Sequence, residues 1–317
     1  MPSSTIAIFS EPQAFEAALQ QGCRVELMVT ERGQFRAQLI SIALPRLRLL
    51  RVKERLSRIA VISAAPGSML VILPTEPGQS QTFRGTGLSG EEIMTVTAGE
   101  RLHTWAVGPC GWAIISVPAK EFVKYGRALV GRNFALPTGV CRLRPSRDGL
   151  RSLVALFNAT MRLTEARPSR PVETEGAARG LEQEAIGVLV ACLSSGAVQA
   201  HEAAHQCSAI MASLDQRLLT CPNEIPRVRD ICKALGVSAE ALQTCCQRQV
   251  GVSASRYFHL HGMRRVYNAL SDAKPESASI RQIAKCHGFN ALGRFASAYR
   301  RQFGELPSTT LRRDVPG

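Results

Sequence analysis

The sequence predicts an α+β protein: a β-rich half of sandwich or barrel type, followed by helices that end in two helix-turn-helix units. Three observations carry this. Short apolar or alternating runs recur at regular spacing through the first 140 residues, with turn signals between them. Helical periodicity replaces them after about residue 147. The last third then repeats a helix, glycine turn, helix pattern at an offset of about fifty residues.

The strand candidates, in order, are CRVELMVT (23–30), FRAQLISIAL (35–44), RLRLLRV (46–52), AVISA (60–64), SMLVIL (68–73), EIMTVTA (92–98) and WAIISVP (112–118). Glycine and proline signals stand between them at Arg32-Gly33, Pro66-Gly67, Pro77-Gly78, Gly99 and Gly108-Pro109. Many short strands at this spacing suggest an antiparallel sandwich or barrel. RDGLRSLVALFNATMRLTEA (147–166) then places Leu150, Leu153, Val154, Phe157 and Met161 on one helical stripe. The stretch 167–176 is proline-rich and reads as a linker or long loop, and a second apolar helix follows at about 178–194. From Val198 onward only helices are expected.

A chain of 317 residues with 45% hydrophobic content and mean hydropathy near zero suits two soluble domains. No apolar run reaches the length of a membrane span, and no signal peptide is read at the N-terminus, so a cytoplasmic protein without a membrane partner is expected. The ten cysteines are scattered without a C-x-x-C pair and read as reduced thiols rather than a disulfide framework. The net charge is +14. From Cys221 onward 15 Lys and Arg face 7 Asp and Glu, so positive charge is densest in the last third. This balance suits a polyanionic partner such as nucleic acid.

The repeat is DICKALGVSAEALQTCCQRQVG (230–251) and QIAKCHGFNALGRFASAYRRQFG (282–304). In each copy an isoleucine (Ile231, Ile283) opens a short helix, and five residues on a glycine (Gly236, Gly288) makes the turn. An apolar residue follows (Val237, Phe289), and the second helix ends at another glycine (Gly251, Gly304). Leu242, Cys246 and Val250 form the apolar stripe of the first second-helix; Phe295, Tyr299 and Phe303 form that of the other. Opposite lie Glu240, Thr244, Gln247 and Arg248, and Gly293, Arg294, Ser297, Arg300 and Arg301. Small, amide and arginine side chains on an exposed helix face can read base edges and grip phosphates. The helix between the copies (253–274) carries Arg256, Arg264 and Arg265 and reads as a rigid spacer.

At these residues the chain resembles the AraC/XylS family of bacterial transcription regulators. GFNALGRFASAYRRQFGELP (288–307) is similar to that family's signature, and Ile231–Ser238 to its first helix-turn-helix. The resemblance covers about the last 110 residues. It implies seven helices with two recognition helices in successive major grooves of double-stranded DNA, and base-reading positions at Glu240, Gln243 and Thr244, then at Leu292, Gly293, Ala296 and Ser297, with a phosphate contact at Arg294. It also implies a cupin-like or jelly-roll-like sensor over 1–145, helices over 146–195 that pair two subunits, with packing of the 150–161 stripe on its own β-domain as the equal alternative, and a DNA-binding domain over 198–317 with its helix-turn-helix motifs at about 228–250 and 280–303. Activation of transcription, an unnamed small-molecule effector, RNA polymerase as partner and a homodimer follow from the same resemblance. The chain departs from the family at Gly262, where arginine is usual, at Gly293, where serine is usual, and at Cys245 and Cys246, where bulkier residues are expected.

Competing motifs were weighed in place. HEAAH (201–205) spells H-E-x-x-H, which on a helix can bind zinc through His201 and His205 with Glu202 as general base. But Ala203, Cys207, Ile210, Leu214 and Leu218 form the apolar stripe there, and the two histidines fall on the opposite side. Met211 stands where a third histidine would be, so a zinc hydrolase is the weaker reading. GTGLSG (85–90) spells G-x-G-x-x-G but lacks the following helix and the acid of a dinucleotide site. His103 is the sole histidine before residue 201, which argues against a metal site in the barrel. No catalytic residue, cofactor or metal is expected. LPRLRLLRVKERLSR (44–58) reads as arginines on a half-exposed strand, with a second nucleic-acid patch as the alternative, and Trp105 and Trp112 as core or effector-pocket residues. A third reading is a DNA-binding protein without effector, whose β-domain only dimerises.

Overall fold

A computed structural model of the chain describes residues 2–73, 81–198, 202–220 and 225–312, apart from the side chains of residues 198 and 202–205. The N-terminal half runs β1 (Ser3–Phe9), α1 (Pro12–Leu19), β2 (Arg24–Val29), β3 (Ala37–Ala43), β4 (Arg48–Glu54), β5 (Arg58–Ser63) and β6 (Ser68–Leu73). It continues with β7 (Gln81–Phe83), β8 (Thr86–Gly87), β9 (Ile93–Thr97), β10 (Leu102–Ala106), β11 (Cys110–Pro118), α2 (Ala119–Val130) and β12 (Val140–Arg144). Then come α3 (Arg147–Ala166), a 3-10 turn at Arg170–Val172, α4 (Glu175–Ser194) and β13 (Ala197–Val198). Seven more helices follow: α5 (Glu202–Thr220), α6 (Val228–Leu235), α7 (Ala239–Val250), α8 (Ala254–Ser271), α9 (Ile280–Cys286), α10 (Leu292–Phe303) and α11 (Pro307–Leu311).

The strands form two sheets whose named ladders are all antiparallel. One has eight strands in the order β1-β3-β4-β11-β6-β9-β12-β13, and the other five in the order β2-β5-β10-β7-β8. Register alternates the side chains between faces. Ile72, Trp112 and Ile114 from the larger sheet meet Leu27, Ala60 and Ile62 from the smaller one, with Phe15 and Leu19 of α1 at the edge of this inner core. Met69, Val71, Ile115 and Val117 point the other way, onto Leu150, Leu153, Phe157 and Met161 of α3 and Ile186, Leu189 and Val190 of α4. On the outer face of the smaller sheet, Met28, Ile59 and Val61 pack against Met211, Leu214, Tyr257 and Phe258 of the C-terminal helices. Both sheets are therefore covered on both faces. This is why SMLVIL and WAIISVP are continuous apolar runs rather than alternating ones.

The expected α+β class holds: a β-rich N-terminal half of two facing antiparallel sheets and an all-helical C-terminal region. The seven strand candidates correspond to β2, β3, β4, β5, β6, β9 and β11. The first 140 residues are not strands and turns alone, however. α1 is a two-turn helix with Pro12 at its start, and α2 buries only Phe122 and Gly126, too little for a visible stripe. The stripe of 147–166 lies on the chain's own larger sheet, so the buried face of α3 is already occupied. Any subunit pairing through the 146–195 helices has to use other side chains, such as Leu163, which is 44% exposed.

Three of the five arginines in the run 44–58 are committed to ion pairs. Arg58 is fully buried and its Nε donates to Glu54 Oε2 at 3.0 Å, beside the Trp112 Nε1 donor at 2.7 Å. Arg46 Nε reaches Glu182 at 3.0 Å, and Arg51 pairs with Glu165. These arginines pin strands and helices together and do not form a free basic patch.

Candidate nucleic-acid interface

The two helix-turn-helix units are built by local capping. α6 ends at Gly236, whose φ of +66° places it in the left-handed region that favours glycine. Ser238 then caps α7 by accepting a hydrogen bond from the Ala241 amide at 3.0 Å, and Ser279 caps α9 in the same way. α7 buries Leu242, Cys246 and Val250, with Cys245 and Gln249 beside them. α10 buries Phe295 and Tyr299 against Met263, Val266 and Tyr267 of α8, with Phe303 half-buried alongside. The apolar stripes read from the sequence are thus the inner faces of both recognition helices.

The opposite faces are open. Glu240, Gln243, Thr244, Gln247 and Arg248 are exposed on α7, and Gly293, Arg294, Ser297, Arg300 and Arg301 are exposed on α10, with Leu292 and Ala296 half-buried. Some of these groups have work within the chain. Gln243 Oε1 accepts from the Ala254 amide at the start of α8 at 3.1 Å, and Ser297 Oγ donates to the Gly293 carbonyl at 3.2 Å. Gln243 therefore sets the angle between the first unit and the spacer helix. A Cβ on Gly293 would meet nothing within 4 Å, so the missing serine leaves an open notch on the reading face.

The other departures have local reasons. A Cβ on Gly262 would lie 3.1 Å from Ile225 and 3.4 Å from Phe289, so glycine lets the spacer helix seat the turn of the second unit. Cys245 is small because it bonds to Cys207 of α5, with 5.0 Å between their Cα atoms. This corrects the expectation that the cysteines are all reduced thiols. Two cysteines 38 residues apart, with no motif between them, meet only through the packing of α5 on α7. Cys246, its neighbour, stays a free thiol pushed up to about 12 by burial.

The C-terminal helices are clamped to the β-rich half by a set of hydrogen bonds and ion pairs. The carboxylate of Asp215 on α5, itself buried, accepts from Arg101 Nε at 2.9 Å and from Tyr257 Oη at 3.0 Å, and lies 3.0 Å from His103 Nε2. Burial alone would raise its pKa, but His103 and Arg101 overcome that and hold the carboxyl well below the usual carboxylate range. Arg264 of the spacer helix forks onto Glu16 of α1, with Nη2 at 2.7 Å from Oε2, and donates to the Leu27 carbonyl at 2.8 Å. Trp105 Nε1 donates to the Arg248 carbonyl at the end of α7 at 3.1 Å, and the Gln302 side chain of α10 donates to the Val29 carbonyl. Of the two tryptophans, Trp112 is core and Trp105 is a contact to the first recognition helix.

Of the H-E-x-x-H motif, His201 and the side chains of Glu202 and His205 lie outside the described residues. Met211 is buried, 3.9 Å from Cys246 Sγ, and is not part of a metal cluster. Among the described residues no group of three His, Cys, Asp or Glu is placed to hold a metal ion. The G-x-G-x-x-G stretch forms the short β8 and its turns, with Gly85 packed on the backbone of Arg248.

A helix-turn-helix domain family model matches residues 231–313, spanning both units and the spacer. The C-terminal third is an AraC/XylS-type helix-turn-helix domain. This region is 34% identical over 85 residues to a probable thc operon regulatory protein of Rhodococcus erythropolis, and 37% identical over 76 residues to a XylDLEGF operon transcriptional activator of Pseudomonas putida. Those matches cover 27% and 24% of this chain, and the chain spans about a quarter of each relative's length, 26% and 24%. Among solved structures, the AraC-like transcriptional activator CuxR is 14% identical with a TM-score of 0.43, covering 90% of this chain and all of that one. ToxT of Vibrio cholerae is 10% identical with a TM-score of 0.30, covering 92% and 97%.

Proposed function

We propose that this chain is a sequence-specific, DNA-binding transcription regulator: a cytoplasmic activator that answers to a small molecule, pairs as a homodimer and works with RNA polymerase. On this reading residues 1–145 sense, 146–195 pair or link, and 198–317 read DNA. The observation that carries it is the pair of glycine-terminated helices, α7 and α10, which bury their apolar stripes and leave Glu240, Thr244, Gln247 and Arg248, and Arg294, Ser297, Arg300 and Arg301, exposed. Arginines on and beside the open faces neutralise phosphates, and the remaining side chains read base edges. The function is then binding free energy rather than catalysis, so no cofactor enters it. The operon regulators similar to the C-terminal third support the same role. Among the described residues no helix is long and apolar enough to cross a membrane, which suits a DNA-binding role.

Sequences enriched from random DNA by the purified chain would supply the operator. Fluorescence anisotropy on that operator should show affinity falling steeply with salt, and Arg300→Ala and Arg301→Ala should each reduce the salt slope by about 1. No enrichment, or an affinity indifferent to both substitutions and to salt, refutes the proposal.

A further inference from the structure

The two recognition helices share one backbone plan and differ in charge. Matching the copies through their inner faces, Leu242 with Phe295, Cys246 with Tyr299 and Val250 with Phe303, sets Glu240 opposite Gly293, Thr244 opposite Ser297 and Arg248 opposite Arg301. The open face of α10 carries Arg294, Arg300 and Arg301 and no acid; that of α7 carries one arginine and the carboxylate of Glu240. A carboxylate turned toward a polyphosphate costs affinity by repulsion. An acid in a first turn favours the helix, but Ser238 already caps α7, and α10 keeps the same plan with no acid in its first turn. Among the described residues Glu240 and Thr244 form no ion pair or side-chain hydrogen bond. The two glutamines of the same face are engaged: Gln243 Oε1 accepts from the Ala254 amide at 3.1 Å, and Gln247 Nε2 donates to the Gly251 carbonyl at 3.3 Å. Neither can present both amide atoms to a base without giving up that bond. Glu240 and Thr244, four residues apart, share the N-terminal end of the outer face, and it is the N-terminal residues of a recognition helix that meet base edges.

We infer that Glu240 selects a cytosine: its carboxylate accepts a hydrogen bond from the cytosine N4 amino group in the major groove and so fixes one C·G pair in the segment read by the first unit. An ionised carboxylate can only accept. Guanine and thymine offer it acceptors in that groove, and adenine sets its N7 acceptor beside its N6 donor, whereas cytosine presents the amino group with no acceptor of its own. Repulsion from the other three bases therefore adds to the attraction for this one. The second unit lacks the device, because at Gly293 a Cβ would meet nothing within 4 Å and no side chain fills the equivalent place. The two units divide the work: three arginines of α10 hold the phosphates, and α7 gives up charge for discrimination. The inference deepens the proposed function by naming the base taken at one position, and it rests on that reading.

The test is selection of bound duplexes from random DNA, run in parallel on the full unsubstituted chain, Glu240→Ala and Glu240→Gln, followed by fluorescence anisotropy on the enriched duplex and its single-base variants. In the sequences enriched by the unsubstituted chain, one position should hold cytosine, and replacing it should weaken binding about tenfold. Glu240→Ala should lose the preference at that position alone and bind random-sequence DNA at least as tightly, since a negative charge has gone. Glu240→Gln should give up cytosine in favour of adenine, whose N6 and N7 suit an amide. A preference unchanged at every position in both variants overturns the inference. So does a loss of affinity in Glu240→Ala that is uniform across sequences, which assigns the carboxylate to the helix alone. Both of those results leave DNA binding by the unsubstituted chain intact and fail this inference only. No enrichment by the unsubstituted chain overturns the regulator reading itself, and this inference with it.

Discussion

Asp215→Ala should loosen the attachment of the C-terminal helices to the β-rich half. The carboxylate is 1% exposed and serves three partners: Arg101 just before β10, His103 on it, and the Tyr257 hydroxyl from α8. Removing one partner of a buried ion pair costs about 3–5 kcal/mol, and a buried hydroxyl left unpaired costs about 1–3 kcal/mol. Arg101 offsets part of this, because it is 24% exposed and keeps Glu26 at 3.0 Å. Tyr257 and His103 are buried and have no such alternative in the site, so a net loss of about 3–4 kcal/mol is expected. Asp215→Asn keeps an acceptor for Tyr257 and should lose about half as much. Urea denaturation followed by fluorescence can locate the effect, since Trp105 lies on the interface and Trp112 in the core between the two sheets. In a Trp112→Phe background, Asp215→Ala should shift the Trp105 transition to lower urea, ahead of the unfolding of the β-rich half. A loss under about 1 kcal/mol with one unchanged transition would refute the assignment of Asp215 as the hub of this interface.

Three further outcomes follow from the same geometry. His261 is buried and pushed down to about 4 from 6.5, by burial first, so it folds as the neutral imidazole. Its contribution is complete above the unfolded value of 6.5 and is lost as pH falls toward 4, on the order of 3 kcal/mol in all; His261→Gln should flatten that part of the stability curve. Gly251 has φ +71°, and a Cβ there would lie 2.6 Å from the Trp105 ring, so Gly251→Ala should cost about 2 kcal/mol or more and change Trp105 emission; unchanged emission and stability would contradict the contact. Closing 38 residues with the Cys207–Cys245 bond restricts the unfolded chain by about 4 kcal/mol, so Cys207→Ser should lower stability by up to that amount, and thiol titration of the denatured, unreduced chain should find both cysteines unreactive.

The sequence by itself determined seven of the strands, α3 and the inner faces of α7 and α10. Local periodicity placed seven strands and α3, because alternation and the helical stripe are properties of neighbouring residues. Repetition exposed α7 and α10, because Gly236, Gly251 and Gly304 need left-handed backbone and recur at fixed intervals in the pattern. It also separated the inner from the outer faces of those helices. What only the tertiary structure decided is who meets whom across distance. The stripe of α3 reads the same whether it covers a sheet or a second subunit, and packing gave it to the sheet. Cys207 meets Cys245, and Asp215 gathers Arg101, His103 and Tyr257, from segments as much as 114 residues apart. Trp105 read as core or pocket from the sequence, and only the docking of α7 made it an interface residue. Burial by a remote partner leaves no local period in the chain, so the clamp between the two halves existed only once the helices were docked.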